Sequence, residues 1–332
     1  MSIKTPYLLF LGNAADPLAA KVAQGIRDWR PENCVGQLRL EGCNADLGLT
    51  DMTPAEAIAQ GAKSMVVGVA NRGGVIDATW VAALVEAMEA GLDLAAGLHN
   101  KLSDVPELAE AAKRLGREIH DVRHPSRAYP VAAGTKRSGK RLLAVGTDCS
   151  CGKMYTTLAI EKELRARGVN ADFRATGQTG ILITGDGVSV DAVAADFISG
   201  SVETHAPANS DDHWDIIEGQ GSLFHASFAG VTLGLIHGSQ PDALILCHEP
   251  TRTHMRGLPD FSLPSIQECM DANLAAAKLT NKNAKFVGIA VNTSKLSEKE
   301  ATAYLAKTEE EFGLPTVDPV RTGVASIVDN LS

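Results

Sequence analysis

Residues Gly146-Thr147-Asp148-Cys149-Ser150-Cys151-Gly152-Lys153-Met154-Tyr155 set glycines, small polar residues and a lysine at the mouth of an amphipathic stretch. Backbone N–H groups in such a loop, the following helix N-terminus and one ammonium converge on an anion, and phosphate suits that layout. The apolar run Arg141–Val145 before it reads as a buried strand. Leu158–Leu164 after it reads as a helix stopping near Gly168. Two features depart from the usual phosphate-binding loop. Five residues rather than four separate Gly146 from Gly152, and Met154 stands where a Ser or Thr hydroxyl would ligand Mg²⁺. Phosphate binding is expected; hydrolysis is not implied.

Other polar residues stand at expected strand ends. Trp214–Ile217 delivers Glu218 to the turn Gly219-Gln220-Gly221-Ser222, where a carboxylate can serve Mg²⁺ or a water, or take a proton from a nucleophile. Ala175–Gly180 places Thr176 and Gln178 as small hydrogen-bonding groups beside the phosphate loop, ahead of a strand over 181–183. Asp191, Asp196 and Glu203 follow, readable also as solvated charges. His225 is expected on a helix over 223–236. A strand over 242–247 ends in His248-Glu249-Pro250-Thr251-Arg252-Thr253-His254-Met255-Arg256, the densest polar cluster in the chain. Pro250 and the spacing exclude a zinc helix, so an anion-binding loop or a solvated loop is expected. Asn292, after a strand over 286–291, can read an adenine edge through its amide. Cys149 and Cys151 are either reactive thiols at a helix N-terminus or small residues filling a tight loop.

The elements that position these groups alternate strand and helix, which indicates α/β architecture with mostly parallel, doubly wound sheets. Residues 1–124 form a Rossmann-like domain, with strands over 7–11, 37–40, 64–69, 93–98 and 118–122. Asp16 caps a helix with Pro17 in its first turn, and Leu18, Val22, Ile26 and Trp29 share one face. Gly12-Asn-Ala-Ala-Asp16 lacks the later glycines of a dinucleotide fingerprint, so no NAD is expected. Arg72, on a glycine-flanked loop, is a candidate anion holder or a surface arginine. His99, at a strand end, is a site or structural histidine. Residues 125–139 read as a linker and 140–332 as a phosphate-loop domain.

A net charge of -9 over 332 residues argues against nucleic acid and anionic membrane as partners. No apolar run reaches the roughly 20 residues of a membrane span. A cytoplasmic location, reduced cysteines, no metal and a homo-oligomer are expected.

The loop spacing, the Glu218-Gly-Gln-Gly turn and Val291-Asn292 resemble dethiobiotin synthetase over most of residues 140–330, although that enzyme has Thr after the lysine. A closer resemblance covers the whole chain. Gly-Thr-Asp-Cys-Ser-x-Gly-Lys-Met-Tyr-Thr from Gly146, Ala175-Thr-Gly-Gln-Thr-Gly-Ile-Leu-Ile183 and Glu218-Gly-Gln-Gly-Ser222 are similar to a bacterial family long catalogued as a domain of unknown function. Its characterised members are D-glutamate N-acetyltransferases. This resemblance implies acetyl transfer from acetyl-CoA to the amino group of D-glutamate, in D-glutamate catabolism. The loop 146–155 and Asn292 would hold the coenzyme, whose phosphates need no metal. Glu218, Asp196 or His225 would take the ammonium proton, and turn amides at 219–222 would meet the oxyanion. Arg174, Arg252 and Arg256, with Thr176, Gln178, Gly221 and Ser222, would meet the substrate. A Mg-ATP-dependent kinase or ligase of the dethiobiotin synthetase type, or a non-catalytic nucleotide or CoA sensor, are the rival readings.

Overall fold

The computed structural model describes residues 2–70, 74–125 and 127–331, and Arg72 lies outside them. The chain divides into two compact units: Met1–Arg127 with Gly177–Ala192, and Ala128–Thr176 with Val193–Ser332.

The first unit runs β1 (Tyr7–Gly12), α1 (Lys21–Trp29), β2 (Cys34–Arg39), α2 (Pro54–Ala59), β3 (Ser64–Val67), α3 (Val81–Ala90), β4 (Asp93–Ala96), α4 (Pro106–Leu115) and β5 (Ile119–Asp121). Its sheet has the order β2-β1-β3-β4-β5, with every pairing parallel. β1, β3 and β4 are buried along their whole length. A parallel sheet covered on both faces demands such uninterrupted burial, which is why these segments show no apolar–polar alternation. Leu8, Phe10, Met65, Trp80, Leu84 and Leu94 form the core between sheet and helices. Thr53 and Glu56 close a capping box on α2, and Gly91 ends α3 at φ 111°. Leu18 leaves the expected apolar face and is 73% exposed. Pro17–Ala20 is a 3₁₀ turn, and its three-residue period puts Leu18 out of phase with the α1 stripe.

The second unit runs β6 (Lys140–Gly146), α5 (Lys153–Ala166) and β7 (Ala171–Arg174). The chain then passes to the first unit for α6 (Gln178–Thr184). It continues with α7 (Ile198–His205), β8 (Trp214–Ile217), α8 (Ala229–Ser239), β9 (Ala243–His248), α9 (Ile266–Lys278), β10 (Lys285–Val291), α10 (Glu298–Phe312), β11 (Thr316–Val317) and α11 (Ala325–Asp329). The sheet order is β11-β10-β9-β6-β8-β7, again parallel throughout. β6, carrying the phosphate loop, lies between β8 and β9, so Glu218 and His248 emerge on either side of it.

Two elements differ from the sequence expectation. The strand over 181–183 is the helix α6, buried from Gly180 to Ile183 and packed against α1. A short apolar run fits a buried strand or a buried helix equally, and here Gly185 at φ 79° closes one short helix. The helix over 223–236 begins only at Ala229. Before it the chain makes successive tight turns, with His225 N–H donating to Ser222 O and Phe228 N–H to His225 O. Within the segment read as a linker, Ala133 and Gly134 N–H groups donate to the two Glu203 carboxylate oxygens at 2.7 and 2.9 Å. That accounts for Glu203 structurally.

Candidate active site

Gly152 stands just before α5 at its N-cap, with φ 108° and no side-chain cap. The first N–H groups of the helix are therefore left to an outside partner. Ser150 takes a left-handed conformation at φ 51°, an uncommon one for a residue with a Cβ. Hydrogen bonds from Arg252 and from the Arg256 backbone hold this loop. Asp148 is fully buried, and its Oδ2 accepts from Arg252 Nη1 at 2.6 Å and Arg256 N–H at 2.9 Å. Arg252 also donates to the Cys149 and Ser150 carbonyls at 2.5 and 2.7 Å. Behind it, Arg252 Nε donates to Glu249 at 2.8 Å. Burial works against charge on Glu249, but Thr251, Arg252 and Lys295 hold its carboxyl below the usual range. Arg252 is thus a brace for the loop rather than a spare cation.

Lys153 is buried at the helix start. Its ammonium donates to Asp148 O at 2.9 Å and contacts Cys151 Sγ at 3.6 Å. Among the described residues no carboxylate forms an ion pair with it. A buried ammonium in that condition has donors to spare, and an anion is the partner that offsets its desolvation. Met154 follows it, half-buried. The next aliphatic hydroxyls, on Thr156 and Thr157, donate back to Gly152 O and Lys153 O at 3.0 and 2.9 Å. Cys151 Sγ–H points to Asp148 O at 3.1 Å. Burial pushes the Cys149 thiol up, so the reactive-thiol reading gains nothing.

Glu218 stands one residue past β8 and is 4% exposed. Its Oε2 accepts from Thr176 N–H at 2.9 Å, and its carbonyl accepts from the Thr176 hydroxyl at 2.6 Å. Gln220 Nε2 reaches the same hydroxyl at 3.3 Å. Gly219 makes the turn possible. A Cβ there would sit 1.7 Å from Ala144 O and 2.9 Å from Lys153 Cδ. The carboxylate turn and the lysine stem are therefore in direct contact. Gly221, at φ 67°, has Phe228 O and the Thr232 hydroxyl where a Cβ would go. The Ser222 hydroxyl is buried and accepts from Phe224 N–H at 3.3 Å.

Other expected groups are placed differently. Arg174 directs its guanidinium to Asp215 at 2.7 Å and Asp172 at 3.3 Å, so two carboxylates already hold it. Asp196 is exposed on the single turn Ala195–Phe197. His225 uses both ring nitrogens: Ser227 N–H donates to Nδ1 at 3.2 Å, so Nε2 carries the hydrogen and donates to Arg256 O at 3.0 Å. That neutral, doubly bonded ring is positioned as structure. Gln178 opens α6 in the first unit, against Gly97. Asn292 follows β10, and its Cβ lies 3.9 Å from where a Cβ on Gly152 would stand. Its Oδ1 accepts from Ser294 N–H. Tyr155 is half-buried in the first turn of α5. The exposed Arg256 places Nη1 on the Ser150 hydroxyl, close above the loop.

His248 completes the wall of the loop. Its Nδ1 lies 3.0 Å from the Thr147 hydroxyl, its ring stacks on Tyr304, and burial pushes its pKa down to about 4. The sequence marks it only as one member of the strand-end polar cluster, with no role beside the phosphate loop. Among the described residues, ligand atoms of Asp148, Cys149 and His225 lie within 4.8 Å of one another. The carboxylate and imidazole of that trio are committed to the bonds above, so it offers no open metal site.

Two family models match the chain. One, a P-loop domain of unknown function (DUF1611_C), matches residues 130–328. The other, a Rossmann-like domain (DUF1611_N), matches residues 38–125. A relative from Tritonibacter scottomollicae, described as D-glutamate N-acetyltransferase, is 64% identical over 99% of both chains. One from Pseudoalteromonas sp. with the same description is 53% identical over the full length of both. The crystal structure of a DUF1611 family protein from Anabaena variabilis is 31% identical, covers 99% of both chains and superposes with a TM-score of 0.84. With both domains matched and full-length relatives of this similarity, the chain belongs to the DUF1611 family.

Proposed function

We propose that this chain transfers an acetyl group from acetyl-CoA to the amino group of D-glutamate. The observation that carries the reading is the buried Lys153 ammonium at an uncapped helix start, an anion cradle whose neighbouring position is Met154 rather than a hydroxyl. The pyrophosphate of coenzyme A suits it, held by loop amides, Lys153 and Arg256. The full-length relatives support D-glutamate as acceptor and an acyltransferase as the class of enzyme. Glu218 takes the proton from the α-ammonium. The freed nitrogen attacks the thioester carbonyl carbon, amides of the 219–222 turn receive the developing oxyanion, and the carbon–sulfur bond breaks as the nitrogen's surplus proton passes to the departing sulfur, releasing coenzyme A as the free thiol. The catabolic role, the cytoplasmic location and the homo-oligomer belong to the same reading.

The test is free-thiol release from acetyl-CoA with D-glutamate, in EDTA, against L-glutamate and a panel of amino acids. Release with D-glutamate is expected. No release with any acceptor overturns the reading, and ATP consumption dependent on Mg²⁺ would put the ligase reading in its place.

A further inference from the structure

At the opposite edge of the first unit's sheet from its strand C-termini, three side chains converge. Asp93 begins β4, Glu118 precedes β5, and His120 lies one residue into β5. Their ligand atoms all lie within 4.8 Å of one another. His120 is 5% exposed, and its Nε2 has no hydrogen-bond partner although it lies 3.3 Å from Glu118 Oε2. A buried imidazole nitrogen normally finds a partner, because leaving it dry forfeits its hydration. Asp93 is 2% exposed; its Oδ1 accepts from Glu118 N–H at 2.9 Å. Its Oδ2 faces Lys4, whose ammonium stands 2.8 Å away and 3.6 Å from Glu118 Oε2.

A cation already occupies the convergence point. It is a tethered ammonium, half-exposed, that faces two carboxylates and makes no hydrogen bond to the His120 imidazole. A borderline divalent ion satisfies all three donors: one imidazole and two carboxylates are ordinary zinc ligands, and a fourth position is left for water. We propose that Asp93, Glu118 and His120 form a divalent transition-metal site, with Lys4 as the occupant that a bound ion displaces into solvent. The site is remote in sequence from the phosphate loop and needs no part of the reaction.

The experiment is calorimetric titration of the whole, chelator-free protein with Zn²⁺, and optical titration with Co²⁺. The wild-type chain should bind one ion at this site, with a Co²⁺ spectrum lacking the thiolate charge-transfer band. Lys4→Met, which removes the competing ammonium, should tighten binding several-fold. His120→Gln should abolish it in both backgrounds, whereas His225→Gln should leave it intact. Far-UV circular dichroism confirms that the variants fold, and acetyl transfer should be unchanged in Lys4→Met. Absence of binding in Lys4→Met, equal affinity in His120→Gln, or a thiolate band would each overturn the proposal.

Discussion

Each unit has a strand, a glycine turn and a helical segment at the carboxyl end of a parallel sheet, and the two turns behave oppositely. At the end of β1, Gly12 adopts φ 51°, and Trp80 Nε1 lies 2.7 Å from where its Cβ would go. The same Nε1 donates to Asn13 Oδ1 at 2.9 Å, and the Asp16 carboxylate accepts from Ala19 N–H at 2.8 Å. The protein's own indole and carboxylate have taken the place a ligand would use. After β6, α5 begins on Gly152 with no side-chain cap, and Lys153 is buried beside it without a carboxylate partner among the described residues. Architecture alone does not make an anion site. What distinguishes the two is whether the helix start is already satisfied from within.

The strongest way to break this contrast is Glu218→Gln. If the open loop only binds and Glu218 performs the proton transfer, kcat falls by about 10²–10⁴ while affinity for coenzyme A changes little. Stopped assays with D-glutamate, paired with calorimetric binding of coenzyme A, separate the two quantities. An unchanged kcat would move the base elsewhere.

Gly219→Ala tests the contact between the carboxylate turn and the lysine. Its Cβ would collide with the Ala144 carbonyl, a backbone atom that cannot swing aside. A loss of about 3 kcal/mol in the unfolding free energy of the second unit, read from denaturant midpoints, is expected. A neutral result would mean the turn and β6 are not pressed together.

Lys153→Ala should raise KM for acetyl-CoA by roughly 10–100-fold, the value of a charge-assisted hydrogen bond to phosphate, with KM for D-glutamate little changed. An unchanged KM for acetyl-CoA would place the coenzyme away from the loop.

Much of this contrast is legible in the sequence. Asp16 with Pro17 signals a capped start, and Gly152-Lys153 signals an uncapped one. Glu218 stands out in the sequence because a carboxylate after an apolar run and before Gly-Gln-Gly has few packing roles. The partners of the arginines are not legible. Arg252 meets Asp148 across 104 positions, and Arg174 meets Asp215 across 41. Such pairings depend on strand order, which a local pattern does not contain. For the same reason Arg174 reads as a free cation and proves to be held by Asp215 and Asp172, while Arg252 reads as a substrate ligand and proves to brace the loop. The passage of Gly177–Ala192 to the first unit is equally hidden, since an apolar run of three residues carries no address.

A smaller effect is expected from His248, behind the open loop. The unfolded imidazole takes a proton near pH 6.5, whereas the folded ring does so only near 4. Between those values the unfolded chain binds more protons, so stability is full above about 6.5 and declines as pH falls towards 4. His248→Asn should flatten that part of the decline in urea midpoints. A parallel pH dependence in variant and wild type would show that the ring titrates normally.

The smallest effect bears on the closed loop. Asp16→Ala removes the only side-chain cap at the Pro17–Ala20 turn, and the exposed position limits the loss to about 1 kcal/mol of stability. The same change leaves Ala19 N–H with only the Asp16 backbone carbonyl at 3.2 Å, so the turn loses its side-chain cap, as at Gly152. The lysine nearby in sequence, Lys21, is exposed, and the indole of Trp80 still fills the glycine turn. KM for acetyl-CoA and for D-glutamate should therefore stay at wild-type values while the thermal midpoint drops slightly. A change in either KM would show that the first loop meets a substrate, and that occupation by Trp80 and Asp16 is a state the ligand displaces rather than a permanent closure.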